Sequence, residues 1–357
     1  MSTIQRLRTA HRSKRETVSR PRSAPVGITM GDPAGIGPEV VLKALKQTTK
    51  DPEFRTQREE LRVIGCQHVF ELEQKRLGTR VDLSVVDDLV KMPGRWKMGR
   101  IQASCGRAAF AALETGVRLL RQGVIRALVT APVSKESLRL VGFSWSGQTE
   151  FLAEQFGAQH YAMLAWTPNF KAVFVTIHLP LARVPRHITA AAVCEKAVLL
   201  SEFLKKTMRL GKRRRKRRVA LPSCLSSRAS PRIGVMAFNP HAYEFSLGEE
   251  ERIAEGIRLA RKAGVNAYGP IPADAALAGF SSARGPCFDG YVAMYHDQAM
   301  IPAKLLGRNA GVNITLGLPC VRTSPLHGTA FGIAGRGIAD PGSMVAAIRL
   351  AHRLSRA

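Results

Sequence analysis

The order of apolar and polar positions predicts strands and helices that alternate along most of the chain. A last helix is predicted to begin with Asp340 as its N-cap and Pro341 as its first residue. The alternation of strands and helices predicts an α/β fold with a largely parallel sheet that is covered by helices on both faces. Apolar runs of strand length occupy residues 26–30, 61–65, 81–86, 126–130, 171–177, 232–238 and 291–295, and helical patterns occupy residues 38–46, 104–122, about twenty residues from 189, and 248–262.

Three histidines stand just after predicted strands: His178, His241 and His296. The carboxyl ends of parallel strands lie along one edge of a sheet, where ligands bind. Three imidazoles at such an edge can bind a divalent ion and leave positions open for a substrate. One histidine at a strand end is more often a structural group, but three of them, together with Asp274 and Asp297, predict a metal site.

Polar donors and small residues follow the last of these histidines. Lys304, Asn313 and Arg322 are well-spaced donors that suit an anionic, oxygen-rich ligand, although each alone could be a solvated surface group. Residues 327–337 are rich in glycine and alanine, so the backbone there could lie close against a flat ligand. An earlier glycine-rich turn, residues 31–39, lacks the residues of a phosphate loop and is interpreted as structural.

Composition limits the class of protein. The chain has 357 residues, of which 45% are hydrophobic, enough for two domains or one elaborated α/β domain with a buried core. No apolar run is long enough to span a bilayer, so no membrane contact is expected and a cytoplasmic protein is predicted. The six cysteines have no paired metal-ligand spacing, which favours reduced thiols.

Two basic segments account for much of the net charge of +27. Residues 1–25 hold seven basic residues and one acidic residue, and residues 205–218 hold ten basic residues and no acidic one. Residues 1–25 are predicted to be a disordered basic tail rather than a transit peptide, and residues 206–230 to be a solvated insertion. Nucleic acid could bind to this insertion, but the basic runs lack interleaved aromatic residues, so a nucleic-acid-binding function is not favoured.

Three motifs resemble the 4-hydroxythreonine-4-phosphate dehydrogenases of vitamin B6 synthesis: AMYHDQ (293–298), GVNITLGLP (311–319) and RTSPLHGTAFGIAGRG (322–337). The last motif is also similar, more distantly, to the cofactor loop of isopropylmalate and isocitrate dehydrogenases. The resemblance implies two α/β/α domains with a cleft between them, an isopropylmalate-dehydrogenase-like arrangement. The first domain would comprise residues 26–133 and 311–357, and the second, with the metal site and the dimer interface, residues 134–310.

The resemblance also implies a role for each residue of the site. His178, His241 and His296 would bind one divalent metal (Zn, Mg or Co), and Asp274 and Asp297 would transfer protons or support the metal ligands. The implied activity is metal-dependent oxidation of 4-phosphohydroxy-L-threonine by NAD or NADP, followed by decarboxylation to 3-amino-2-oxopropyl phosphate, in a homodimer. The substrate would be held by Gln148, Thr149, Lys304, Asn313 and Arg322, and the cofactor by His327, Gly328, Thr329, Ala330 and Asp340.

Gln148 departs from the family pattern, which has a histidine at this position. Glutamine forms hydrogen bonds but carries no charge and moves no proton. A related dehydrogenase acting on another phosphorylated four-carbon acid, or on a cis-dihydrodiol, is therefore the alternative. The three phosphate donors Lys304, Asn313 and Arg322 argue against the dihydrodiol.

Overall fold

A computed structural model describes residues 23–48, 51, 54, 60–92, 95–215, 230–281 and 287–356, with side chains of the helix that ends at Arg215 described up to Arg209. The basic tail and most of the basic insertion predicted from the sequence lie outside these residues. The strands are β1 Val26–Thr29, β2 Leu61–Gly65, β3 Val86–Asp88, β4 Ala127–Thr130, β5 Ala162–Trp166, β6 Lys171–Phe174, β7 Arg232–Met236, β8 Asn266–Ile271, β9 Gly290–Ala293, β10 Val312–Leu316 and β11 Val321–Pro325. The helices are α1 Gly37–Thr48, α2 Gln67–Arg76, α3 Ala103–Arg121, α4 Lys135–Arg139, α5 Gln148–Gln155, α6 Val184–His187, α7 Ala190–Arg215, α8 Glu249–Lys262, α9 Ala273–Ala278, α10 His296–Gly307 and α11 Gly342–Ser355.

The chain forms two compact units, which we call the terminal unit (residues 23–159 and 309–356) and the central unit (residues 160–308). Residues 134–159, predicted to lie in the second domain, thus belong to the terminal unit. The physical reason is an aromatic cluster in which Phe143, Trp145 and Phe151 pack against Phe110 of α3. These contacts hold α5 to the unit that contains α3.

The described residues of the terminal unit form six strands in the order β3-β2-β1-β4-β11-β10. All neighbours are parallel except β10 and β11, which pair antiparallel with Asn313 opposite Ser324. Strands β1 and β4 are fully buried, and α3 and α11 pack against this sheet. The register of β11 on β4 places Arg322 beside Leu128, in the interior of the unit.

The central unit contains five strands in the order β5-β6-β9-β7-β8, of which only β5 and β6 pair antiparallel among its described strands. Helices α7 and α8 pack closely at Gly256, where a Cβ atom would lie 2.7 Å from the Cβ atom of Val193. Glycine is therefore required there by the close approach of the two helices. Strands β6, β9 and β7 are adjacent, so their carboxyl ends meet at one edge of the sheet.

The α/β class is confirmed, and the described strand pairs are largely parallel as predicted, with β10–β11 and β5–β6 pairing antiparallel. Most predicted strands and helices exist within a few residues of their expected bounds. The run at 81–86 is mainly a 3-10 turn at Leu83–Val85, followed by β3. The last helix begins at Gly342 with Pro341 as its N-cap, and Asp340 still accepts a hydrogen bond from the Gly342 N–H. No helix among the described residues is long and apolar enough to cross a membrane.

Candidate active site

In the central unit, the chain after β6 runs beside the chain after β9. Thr176 donates both its N–H and its hydroxyl to the Met294 carbonyl, at 3.1 and 2.7 Å. This pairing brings His178 and His296 together, with their ring centroids 6.0 Å apart. His296 begins helix α10, and its Nδ1 lies 2.7 Å from the carboxylate of Asp297. The Nε2 of His296 is then the ring nitrogen left for a ligand.

His241 lies in a loop that is fixed by the buried Glu250. The carboxylate of Glu250 accepts hydrogen bonds from the Phe238 and Asn239 N–H groups, at 3.0 and 2.8 Å. His241 itself has a φ of 55°, in the left-handed region that is unfavourable for a residue with a side chain. Its Nδ1 is 2.9 Å from Glu244, so His241, like His296, has one ring nitrogen paired with a carboxylate.

These positions are a partial fit to a metal centre. His178 and His296 are neighbours, but no group of three His, Cys, Asp or Glu residues that could hold a metal ion occurs in the described part of the chain. His241 therefore does not complete a metal site within this single chain, and the three-histidine site stays a prediction.

The remaining predicted residues of the central unit are exposed. Asp274 lies in the first turn of α9, because β8 extends to Ile271 and the helix starts at Ala273. Lys304 lies on α10 with its side chain in solvent. Both side chains are thus accessible to a small molecule.

In the terminal unit, Arg322 is 2% exposed and is surrounded by threonine hydroxyls. Its Nη2 donates to Thr130 at 2.6 Å, and its Nη1 donates to Thr315 at 3.1 Å and to Thr149 at 3.3 Å. Burial lowers the pKa of Arg322 to about 10, and Glu150 counteracts this only in part. Because each threonine oxygen accepts from the guanidinium, its own proton is available for a bound anion.

Several buried polar atoms of this unit have no hydrogen-bond partner within the described residues. They include Gln148 Oε1, Asn313 Oδ1, Arg322 Nε and His327 Nε2. All four residues were predicted to bind substrate or cofactor. Buried polar groups without a partner cost free energy, so these atoms are suited to a polar ligand. Gln148 is the first residue of α5 and Thr149 the second, so the start of this helix positions both side chains.

The predicted cofactor segment, residues 327–340, leaves open space along its backbone. A Cβ atom placed on Gly328 or Gly332 would meet no atom within 4 Å. His327 is half-buried, and burial lowers its pKa. Asp340 accepts hydrogen bonds from Asn309 Nδ2 at 2.5 Å and from the Gly342 N–H at 2.7 Å, so both of its oxygens serve the start of α11.

Sequence reasoning missed two residues that support these positions, Glu250 and Gln298. The carboxylate of Glu250 fixes the loop before His241. Gln298 accepts from the Met294 N–H and donates to the Ala237 carbonyl, both at 2.7 Å. Both residues lie in the first turn of a helix that follows a strand. This position is the sequence pattern that could have identified them.

The model of one family, the pyridoxal phosphate biosynthetic protein PdxA, matches residues 36–351. The chain belongs to this family. It is 40% identical to a 4-hydroxythreonine-4-phosphate dehydrogenase of Beijerinckia indica, over 92% of this chain and 95% of that protein. It is 36% identical to a D-threonate 4-phosphate dehydrogenase of Salmonella typhimurium, over 92% of this chain and 98% of that protein.

A solved structure agrees with the family. The crystal structure of 4-hydroxythreonine-4-phosphate dehydrogenase from Klebsiella pneumoniae has a TM-score of 0.74 and 31% identity, and the match covers 93% of this chain and 100% of that one. The resemblance found in the three sequence motifs is therefore confirmed. The chain is an oxidoreductase of the pyridoxal phosphate biosynthetic family.

Proposed function

We propose that this enzyme oxidises 4-phosphohydroxy-L-threonine at its secondary alcohol, with NAD or NADP as the acceptor, and that the product then loses carbon dioxide. The single observation that carries the proposal is the set of buried, unpartnered polar atoms on Gln148, Asn313 and Arg322 in the terminal unit. Family membership supplies the class of reaction, and these atoms supply hydrogen-bonding groups that suit an oxygen-rich substrate.

The phosphate end of the substrate would be bound by Arg322 and Asn313 of the terminal unit, and Lys304 stays the third phosphate donor that the sequence predicts. The buried Arg322 supplies positive charge, and the threonine hydroxyls around it can donate to phosphate oxygens. Gln148 and Thr149 would contact the remainder of the molecule. Asp274, whose carboxylate is exposed, is our candidate to accept the hydroxyl proton, while Asp297 orients His296.

A divalent ion and a nicotinamide would complete the site, the ion polarising the alcohol and the nicotinamide accepting the hydride. His178 and His296 fit an ion because they are adjacent and because His296 has its Nδ1 held by a carboxylate. Residues 327–330 fit the cofactor because His327 Nε2 has no partner within the described residues and Gly328 leaves its backbone approachable.

We further propose a homodimer in which His241 joins the other two histidines. Large apolar side chains are exposed in the loop of His241 and on α10 of the central unit. Such exposure is typical of a surface that another chain covers. These side chains are Tyr243 (53% exposed), Phe245 (53%), Leu247 (90%), Ile301 (59%) and Leu305 (74%). A cytoplasmic location is proposed as well, in keeping with the five described cysteines, which are all unpaired as thiols.

A second candidate substrate is D-threonate 4-phosphate, on which the Salmonella typhimurium relative acts by its name. This acid keeps the phosphate but has a hydroxyl group in place of the amino group. The neutral side chain of Gln148 supports this second candidate, because an amide forms hydrogen bonds with a hydroxyl group as well as with an amino group.

The test is a turnover assay with the purified full chain. Each of the two substrates is supplied with NAD or NADP and with Zn²⁺, Mg²⁺ or Co²⁺, and reduced nicotinamide and carbon dioxide are measured. We expect both products in equal amounts from 4-phosphohydroxy-L-threonine. Turnover of D-threonate 4-phosphate alone would move the assignment to that acid, and no turnover of either would refute the proposal.

Arg322→Ala is the matching mutational prediction. Losing the charge-assisted contacts should cost about 1.5–3 kcal/mol of substrate binding, so the KM for the phosphorylated substrate should rise roughly ten- to a hundredfold. Arg322→Lys is the comparison variant, because lysine keeps the positive charge but lacks the planar guanidinium group that reaches three hydroxyls. An unchanged KM in a variant whose circular dichroism is native would remove Arg322 from the phosphate site.

A further inference from the structure

The first turns of helix α1 hold the end of the proposed cofactor segment. Glu39 is fully buried, and its Oε1 accepts a hydrogen bond from the Ala339 N–H at 2.8 Å. The same oxygen accepts from the ammonium of Lys43 at 2.7 Å, one helical turn further on. A single carboxylate oxygen thus links the helix to a residue 300 positions away in the chain.

Lys43 makes two further contacts with this segment. Its Nζ donates to the carbonyls of Gly337 and Ala339, both at 2.8 Å. An ammonium group has three donors, and the three acceptors Glu39, Gly337 and Ala339 account for all of them. The Lys43 side chain is 25% exposed and that of Glu39 is 1% exposed, so this ion pair is largely shielded from water. Glu39 also lies 3.6 Å from Arg76 through its other oxygen, so removing Lys43 would leave this carboxylate one cationic neighbour and would take the Lys43 donor away from the Gly337 and Ala339 carbonyls.

The other end of the segment is held by the turn before α1. The Ile36 N–H donates to the Thr329 carbonyl at 3.0 Å, and a Cβ atom on Gly35 would lie only 2.9 Å from the Thr329 side chain. Glycine is needed at position 35 because the two backbones approach so closely. Between these two anchor points, at Thr329 and at Gly337–Ala339, lies the approachable backbone of Gly332.

We propose that Glu39 and Lys43 are positioning residues that hold the 327–340 segment in the conformation that receives the nicotinamide cofactor. This inference rests on the proposed function, which places the cofactor on that segment. The segment is rich in glycine and would lose much conformational entropy if it were ordered only on binding. Because the ion pair orders the segment in the folded protein before the cofactor binds, the entropic cost of ordering belongs to folding and does not reduce the cofactor affinity. The pair therefore affects cofactor binding and leaves the chemical step unchanged.

The experiment compares Lys43→Met with the wild-type full chain. Methionine keeps an unbranched apolar side chain but removes the three donors. We expect faster hydrogen exchange of the amides of 337–341, a dissociation constant for NAD that rises at least tenfold, and a kcat at saturating NAD that stays within twofold. Lys46→Met is the matched control on the same helix, because Lys46 donates to the Thr79 hydroxyl instead, and it should leave all three measurements unchanged.

Glu39→Gln and Lys43→Arg are more conservative substitutions, which keep the test possible if Lys43→Met does not fold. Glutamine can still accept from the Ala339 N–H but carries no charge, and arginine keeps the charge in a fork that does not match three convergent acceptors. Both should show the same changes to a smaller degree. If all variants exchange at the wild-type rate or bind NAD with wild-type affinity, the inference is wrong.

The wild-type protein distinguishes this failure from a failure of the proposed function. NAD added to the wild type should slow exchange of amides in 327–340. If NAD binds and protects none of them, the proposed cofactor location is wrong. If NAD protects them and Lys43→Met nevertheless binds NAD as tightly as the wild type does, only the positioning role is refuted.

Discussion

Gln148 is the residue at which this chain differs from the pattern of its family. Its Nε2 donates to the Ala131 carbonyl at 3.4 Å, a long bond, while its Oε1 is buried with no partner in the described structure. An acceptor in this position is suited to an N–H or O–H group of a substrate. It cannot supply the charge that a histidine could.

Gln148→His should therefore be tolerated if the substrate is 4-phosphohydroxy-L-threonine. We expect the kcat/KM on this substrate to be equal to or greater than that of the wild type, because the proposed phosphate-binding residues are unchanged. The measurement is the specificity constant of both proteins on this substrate and on D-threonate 4-phosphate. A wild type without turnover of the first substrate, and no gain in the histidine variant, would speak for a different substrate.

If His241 binds a metal as proposed, the effect of Glu244 should appear in metal affinity. Its carboxylate lies 2.9 Å from His241 Nδ1 and would keep that ring oriented with Nε2 outward. Glu244→Ala should weaken binding of Co²⁺ to the metal-free protein by about 10–100-fold, as is typical when a carboxylate behind a ligating histidine is lost. Calorimetric titration of the metal-free proteins with Co²⁺ measures this affinity. Glu71→Ala is the control, because Glu71 is 3.9 Å from the exposed His68, and equal affinities in both variants would contradict the role of Glu244.

At the scale of elements, the junction between β9 and α10 determines where the histidine and aspartate of the HDQ motif are placed. Gln298 is 8% exposed and bonds to the Met294 N–H after β9 and to the Ala237 carbonyl after β7. It therefore fixes two neighbouring strand ends with one side chain. The histidines that follow these strands depend on this alignment.

Gln298→Leu should lower the free energy of unfolding by about 2–4 kcal/mol, because it leaves a buried N–H and a buried carbonyl without partners. Urea unfolding followed by circular dichroism gives the value. Gln67→Leu is a fitting control, since the amide of Gln67 donates to Glu71 on the exposed face of α2. A change below about 0.5 kcal/mol in Gln298→Leu, equal to that expected of a surface site, would show that the two bonds contribute little.

At the scale of the whole molecule, the two ends of the described chain return to one unit and share an ionic network. Glu60 accepts hydrogen bonds from Arg126 at 2.8 Å, from His352 at 3.1 Å and from Arg356. Arg126 in turn donates to the Ala24 carbonyl. Burial alone would raise the pKa of Glu60, but the Arg126 hydrogen bond and the charges of Arg356, Arg126 and His352 lower it.

This network predicts loss of stability in acid. Burial, and then the charges of Arg356 and Arg126, lower the pKa of His352, so the unfolded chain binds a proton on this ring more readily than the folded protein does. Its contribution is complete above the ordinary histidine pKa of about 6.5 and is lost as the pH falls towards the folded value. The Glu60 contribution is lost at lower pH, below about 4.3.

The Tm should therefore fall between about pH 7.5 and pH 5, and it should fall less in His352→Gln, which has no proton to gain. The variant should be less stable than the wild type at the higher pH. Calorimetry at several pH values tests this, with the exposed His68→Gln as control. A fall of Tm that is the same in His352→Gln as in the wild type would exclude His352 as its source.

The sequence alone determined the α/β class, the family and the identity of most strands and helices. Local apolar periodicity and long motifs such as RTSPLHGTAFGIAGRG carry that information without any knowledge of neighbours. It also pointed to His178 and His296, because a strand end places a residue at the edge of a sheet.

Tertiary structure decided what depends on residues far apart in sequence. The threonine surroundings of Arg322 come from β4, β10 and α5, and the contact of Glu39 with Ala339 spans most of the chain. The unit boundary after Gln159 follows from aromatic packing on α3, which no local pattern contains. Periodicity reports which face of an element is buried, but the partners that meet on that face are set by the packing of the whole fold.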